Sequence, residues 1–94
     1  MGIYIIFKFI HESKLVVDDD EKYEYACIVR SQLSDYELVM LFYNCISING
    51  KEKFKPLIEE YAVFNNLRTE LLVSSGDVDL YNKSAYDRRY KKSV

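Results

Sequence analysis

Few residues of this chain have the chemistry of a catalytic group, and His11 is the first of them. It is the only histidine, and no serine, cysteine or second acid stands at a spacing that would link it into a catalytic triad. Helical ribonucleases of many defence systems place a histidine four to six residues after an arginine, and no arginine here is followed by a histidine. We therefore assign no catalytic residue and expect His11 at the surface, near a helix end.

Two acidic segments could in principle bind a metal ion. The run from Asp18 to Glu21 offers clustered oxygens, which hard cations prefer, but adjacent helical residues point in different directions. The run is better explained as the first turn of a helix, where carboxylates meet the positive end of the helix dipole. The segment GDVDLYNK, residues 76–83, fails as a calcium loop because Tyr81 stands where the third oxygen ligand belongs. We predict no metal and no cofactor.

Composition limits the class of protein. The 94 residues are 49% hydrophobic and 30% charged, with three glycines and one proline, which indicates one folded and mainly helical domain. The net charge of −2 argues against binding of nucleic acid through the overall field. Cys27 and Cys45 form no CxxC motif and no cluster with histidine, so we expect reduced thiols in a cytoplasmic protein.

The apolar segment IYIIFKFI, residues 3–10, does not predict a membrane protein. It is interrupted by Lys8 and is far shorter than the roughly 20 apolar residues that span a bilayer. It also lacks the basic start and the small-residue cleavage site of a signal peptide. We expect no membrane association for this chain.

The clearest element begins at Ser34, which forms a capping box with Glu37. From Leu38 to Ile46, apolar residues recur on one helical face, and further apolar residues cover much of the remaining surface. A helix that is apolar on nearly all sides is surrounded by protein. We therefore predict a central helix at residues 35–48, ended by Asn49 and Gly50.

Weaker patterns predict the other elements. Residues 3–12 fit the helical period, and we choose helix over strand because no second strand is available for pairing. A helix from about 18 to 32 should turn Tyr25, Ile28 and Val29 inward. Another should begin at Pro56, which suits a first helical turn, with a buried face made of Leu57, Ile58, Tyr61, Ala62 and Phe64.

Short helical pieces are expected at residues 67–73 and 84–90. The predicted architecture is an all-α bundle of about four to five helices around the central helix. It forms a single domain over residues 1–94, and residues 76–94 form a partly flexible tail.

A long ordered motif lies at residues 30–68. It has an Arg-x-Gln-Leu-Ser start, a Leu-Phe-Tyr-Asn centre and the segment Gly-Lys-x-Lys-Phe-Lys-Pro-Leu-Ile-Glu. This motif resembles the C-terminal region of bacterial putative phage abortive infection proteins, where the three parts recur in the same order. The resemblance implies longer relatives with membrane-associated segments before this region, so the chain is similar to a detached C-terminal domain or a truncated relative. It brings no established catalytic residues.

Some polar positions of the motif have no evident packing role. Asn44 stands out because an amide inside a mostly apolar helix needs a hydrogen-bond partner, and a bond to a neighbouring loop would explain it without a function. Alternatively, these polar side chains together form a patch that binds a phosphate or an acidic partner. Its members are Arg30, Gln32, Asn44, Lys51, Lys53 and Lys55.

Three classes of function remain open. We favour a non-enzymatic interaction or sensing domain of a phage-defence protein, which binds a protein partner. The second is a nucleic-acid-binding module that uses Lys51, Lys53, Lys55 and the basic tail at residues 88–92. The third is a nuclease-like enzyme, which requires a cleft where Arg30, Glu37 and Asn44 converge.

The N-terminal helix also predicts self-association. Ile3, Ile6, Phe7 and Ile10 share one face, while Tyr4, Ile5 and Phe9 leave the other faces apolar. A domain this small buries only about 60 to 65% of its unfolded surface, so it can hardly cover all of these side chains. We expect a homodimer through this helix.

Overall fold

The computed structural model describes residues 2–47 and 51–91. Four α-helices lie in this part: α1 (Gly2–Glu12), α2 (Asp19–Arg30), α3 (Asp35–Cys45) and α4 (Lys55–Glu60). Four 3-10 helices follow: η1 (Thr69–Leu71), η2 (Ser75–Leu80), η3 (Lys83–Ala85) and η4 (Arg88–Tyr90). The described residues contain no strand, which confirms the predicted all-α class. The expected stop at Asn49 and Gly50 lies outside the described residues.

Helix α3 begins at the predicted capping box. The Ser34 hydroxyl accepts from the Glu37 amide, and the Glu37 carboxylate accepts from the Ser34 amide at 2.9 Å. Its inner face carries four buried side chains: Leu38, Leu41, Phe42 and Cys45. The expectation that the helix is surrounded is wrong, because Tyr36 is 87% exposed and Met40 63% exposed.

Helix α1 packs on α4 through aromatic rings, which confirms the choice of helix over strand. Phe7 is fully buried and its ring lies near those of Phe54 and Tyr61, with centroid distances of 6.3 and 6.5 Å. Tyr4 also contacts Phe54. Ile6, which shares the predicted apolar face of α1 with Phe7, is 45% exposed.

Helix α2 begins at the predicted acidic cap, where the Asp18 carboxylate accepts from the Asp20 amide. Its inward face differs from the prediction. Ala26 and Arg30 are buried, whereas Tyr25 and Ile28 are exposed. Of the predicted face, Val29 packs against the core and is partly buried. The helix therefore turns an arginine toward the core and leaves two apolar side chains at the surface.

Helix α4 carries Pro56 in its first turn, as expected, and ends after one and a half turns at Glu60. The chain then turns at Ala62, whose φ of 48° lies in the left-handed region that a non-glycine residue rarely adopts. The turn is tied by a hydrogen bond from the Val63 amide to the Ile58 carbonyl. All five side chains of the predicted face, at positions 57, 58, 61, 62 and 64, are buried.

The C-terminal segment completes the core. The Tyr81 ring packs against Phe42 and Phe64, with centroid distances of 4.8 and 5.0 Å, and its hydroxyl donates to the Phe42 carbonyl. Ala85 is buried, and its carbonyl accepts from the Phe64 amide at 2.9 Å. Residues 76–91, expected to belong to a partly flexible tail, are thus packed on the helices; their motion stays a prediction.

Candidate functional site

Arg30, a member of the predicted polar patch, points into the protein. Its guanidinium donates to the Ala62 carbonyl at 2.9 Å, to the Tyr61 carbonyl at 3.3 Å and to the Tyr23 hydroxyl at 3.1 Å. It therefore binds the backbone at the left-handed turn that follows α4. Packing does require this arginine, contrary to the interpretation of the sequence.

The three lysines of the predicted patch lie at the other end of α4. Lys51 and Lys53 are exposed, and Lys55 pairs with Glu59 at 3.8 Å while its ammonium lies over the Tyr81 ring. Lys55 begins α4, whereas Arg30 binds just beyond its last residue. At about 1.5 Å per residue, six helical residues alone separate these groups by roughly 9 Å. The contacts do not bring Arg30 and the lysines into one patch.

Asn44 and Gln32 are both exposed. Asn44 lies one turn after Met40 on the outer side of α3, so its amide is open to water and does not require the expected loop partner. Glu37 and Asn44 line one surface groove, and Arg30 is not among its lining residues. The Arg30 guanidinium instead donates to the carbonyls of Tyr61 and Ala62. The three groups required for a nuclease-like site do not converge.

The described part of the basic tail is neutralised within the chain. Arg88 pairs with Asp20 at 2.6 Å, Arg89 pairs with Asp87 at 2.7 Å, and Lys91 pairs with Glu60. The Arg89 hydrogen bond also holds the pKa of the Asp87 carboxyl below its usual value. These pairs compete with a phosphate backbone, and Lys92 lies outside the described residues. The tail therefore gives little support to binding of nucleic acid.

His11 lies at the surface in the last turn of α1, as the sequence predicted. Its Nδ1 shares a hydrogen bond of 2.8 Å with the Tyr61 hydroxyl, and burial raises the pKa of Tyr61 to about 12. A phenol with so high a pKa is a poor base or nucleophile near neutral pH. Within residues 2–47 and 51–91, no three histidine, cysteine or acidic side chains come together as a metal site.

An apolar groove lies between α1 and α3. It has a volume of about 330 Å³ and is flanked by Tyr36 and Met40, whose apolar side chains contributed to the prediction of a surrounded helix. The sequence does contain a signal for this exposure. Tyr36, Met40 and Asn44 are spaced four residues apart on one side of the helix, and the polar Asn44 indicates that this side faces water. The lining of this α1–α3 groove consists of Ile3, Leu33, Tyr36, Glu37, Met40, Leu41 and Asn44.

A second apolar surface, the α1–α2 face, covers the outer sides of the first two helices and their connection. The sequence predicted part of it in Ile5 and Phe9 but missed the connection, where Leu15 is 94% exposed and Val17 76% exposed. The members of the face are Ile5, Ile6, Phe9, Leu15, Val17, Tyr25 and Ile28.

Residues 2–47 and 51–91 thus form a small helical structure with exposed apolar surfaces. Comparison with known protein families then identifies the family to which the chain belongs. The family described as putative phage abortive infection protein matches residues 1–72, which is more than three quarters of the chain, so the chain belongs to that family. No curated protein and no solved structure matches it significantly.

The matched region runs from α1 to just beyond η1, while the segment that contributes Tyr81 and Ala85 lies outside it. None of the helices in the described part of the chain is both long enough and apolar enough to cross a membrane.

Proposed function

We propose that this protein acts in phage defence as a non-enzymatic interaction domain, which binds a protein partner through the α1–α3 groove. Membership of the phage abortive infection family supports the defence role. The observation that most supports interaction is the groove itself, because Tyr36 and Met40 present large apolar side chains to water beside a concave apolar lining. Exposed aromatic and methionine side chains are enriched in protein interfaces.

The partner would be a protein segment with apolar side chains for the groove and a hydrogen-bond donor for its rim. Glu37 and Asn44 are the two polar residues among those that line the groove, and both are exposed. The hydrogen bond from the Ser34 amide lowers the pKa of Glu37, so the carboxylate is charged near neutral pH and accepts hydrogen bonds. A cationic or amide-bearing side chain at the edge of an apolar segment fits this arrangement.

Two observations weigh against an enzyme. The groups that a nuclease-like site would need are separated, with Arg30 bound to backbone carbonyls. Burial also raises the pKa of the Cys45 thiol to about 12, which removes it as a nucleophile at neutral pH. Both observations favour recognition of another molecule by shape and apolar contact over catalysis.

Phage plating on cells that carry or lack the gene tests the defence role, with the full operon as a second background. A Met40→Glu variant places a charge in the α1–α3 groove and is expected to abolish protection. Val73→Glu is the matched control, since Val73 is 88% exposed and lies away from the groove in sequence and outside the family match.

A Lys51→Ala, Lys53→Ala double variant separates this proposal from binding of nucleic acid. We expect it to protect cells as well as the unmodified chain does. Loss of protection in the lysine variant, together with full protection by Met40→Glu, would reverse the assignment.

A further inference from the structure

We propose that the α1–α2 face pairs with the same face of a second copy to form a reciprocal, two-fold homodimer. The inference does not rest on the proposed function, since it uses a different surface. It specifies the helices in contact and the charges that set their orientation.

The two helices that carry the face run antiparallel. Lys22, near the start of α2, donates to the carbonyl of His11 at the end of α1, at 2.6 Å. At their other ends, Ile3 of α1 and Leu33 just after α2 line the same groove. One copy therefore presents two adjacent helices of opposite direction, which suits a two-fold arrangement.

Helical spacing places two of the exposed apolar side chains beside the seam between α1 and α2. Tyr25 lies three residues after Lys22, so it belongs to the flank of α2 that faces α1. Ile6 shares a flank of α1 with Ile3, opposite the flank from which His11 contacts Tyr61. Ile6 and Tyr25 thus border the seam from both sides, and the other members continue the surface outward.

The area of the α1–α2 face matches what a dimer needs. Seven apolar side chains between 45% and 94% exposed offer about 100 Å² each, on the order of 700 Å² in all. The largest apolar patch of a monomeric protein is usually about 300 to 600 Å². A stable interface buries about 800 Å² on each partner, so a second copy covers a surface of this size.

Charge makes the face complementary to itself. On α1, Lys8 lies one turn from Ile5, while on α2, Glu21 lies one turn before Tyr25 and Glu24 one turn before Ile28. The three charged side chains are exposed. If α1 of one copy lies across α2 of the other, each Lys8 meets the acidic side of the partner's α2. The two-fold axis makes this contact twice.

Light scattering or sedimentation at micromolar concentration measures the mass. We expect twice the monomer mass for the unmodified chain, and the monomer mass for Phe9→Glu and for Ile28→Glu. Val73→Glu and Met40→Glu, whose side chains lie outside the face, are expected to keep the dimer. Helical circular dichroism of each variant verifies that it is folded.

Mixing two charge variants gives the sharper test. Lys8→Glu alone and Glu24→Lys alone each place like charges at both contacts, which should raise the dissociation constant at least about tenfold. In an equimolar mixture, each contact joins a glutamate with a lysine again, so the dimer should return as a heterodimer. A mixture that stays monomeric, a monomeric unmodified chain, or a dimer that resists both apolar variants would overturn the proposal.

Discussion

Arg30 stabilises a turn that the sequence alone would not favour. Ala62 adopts a left-handed conformation, which costs a non-glycine residue of order 1 kcal/mol or more. The Arg30 guanidinium donates to the carbonyls of Tyr61 and Ala62 and to the Tyr23 hydroxyl. The Tyr23 ring is in turn covered by the Arg88 guanidinium, which lies 4.3 Å from the ring centroid. Arg30 thus links α2 to the end of α4.

Replacement of Arg30 should therefore destabilise the fold. Arg30→Met leaves the Tyr61 carbonyl without its donor and removes one of the two donors to the Ala62 carbonyl, which also accepts from the Asn65 amide. We expect the free energy of unfolding to fall by about 1 to 3 kcal/mol. Urea unfolding followed by circular dichroism measures the change. Arg68→Met is the matched control, because the Arg68 side chain is 60% exposed and its loss should change stability by about 0.5 kcal/mol or less. Equal effects of the two substitutions would contradict the role of Arg30.

The two cysteines should differ in reactivity. Cys45 is 1% exposed and burial raises the pKa of its thiol to about 12, so it forms almost no thiolate near neutral pH. Cys27 is half-buried. Alkylation of the native protein at mildly alkaline pH, read by mass spectrometry, is expected to modify Cys27 and leave Cys45 intact until denaturant is added. A Cys27→Ser variant that still takes up reagent in the native state would refute this.

At the scale of elements, the helix caps were predictable because they depend on residues close in sequence. Ser34 and Glu37 specify the start of α3, Asp18 specifies the start of α2, and Pro56 lies in the first turn of α4. Each of these signals is completed within one turn of helix, so no knowledge of the tertiary fold is needed to interpret it.

The inward face of a helix was less predictable, because it depends on which partners the fold supplies. Hydrophobic periodicity assigned Tyr25 and Ile28 to the core, but α2 turns Arg30 inward, where its guanidinium donates to the carbonyls of Tyr61 and Ala62. A pattern of apolar residues cannot reveal carbonyls some thirty positions away. For the same reason, the sequence did not distinguish the apolar residues of α3 that line the α1–α3 groove from those that pack in the core.

The capping box of α3 predicts a pH dependence of stability. The hydrogen bond from the Ser34 amide lowers the pKa of Glu37 in the folded state. The stabilisation is therefore fully present above the unfolded pKa, about 4.3, and is lost as the pH falls through the lower folded value. Glu37→Gln can keep a neutral capping box but lacks this dependence.

Thermal unfolding of both chains between neutral and acidic pH measures the difference. We expect the advantage of the unmodified chain over Glu37→Gln to shrink as the pH falls below the usual carboxyl range. A constant difference across that range would show that the Glu37 charge does not contribute through the cap.

At the scale of the whole molecule, the core is shared between the family region and the segment that follows it. Phe42 and Phe64 belong to the matched residues 1–72, yet each lies against Tyr81 of the later segment. Salt bridges from Arg88 to Asp20 and from Lys91 to Glu60 attach the same segment to α2 and α4. If these contacts stabilise the fold, the segment and the helices should unfold together.

Tyr81 gives the test of this shared core. Tyr81→Ala removes a ring that is 4% exposed and leaves the Phe42 carbonyl without its donor, so we expect the free energy of unfolding to fall by about 3 to 5 kcal/mol. Tyr81→Phe keeps the ring and should lower it by about 1 kcal/mol, the value of a single hydrogen bond. Urea unfolding of both variants, with Val73→Ala as the exposed control in the same segment, measures the series. If residues 76–91 were instead a tail that does not stabilise the helices, all three substitutions would leave the unfolding midpoint unchanged.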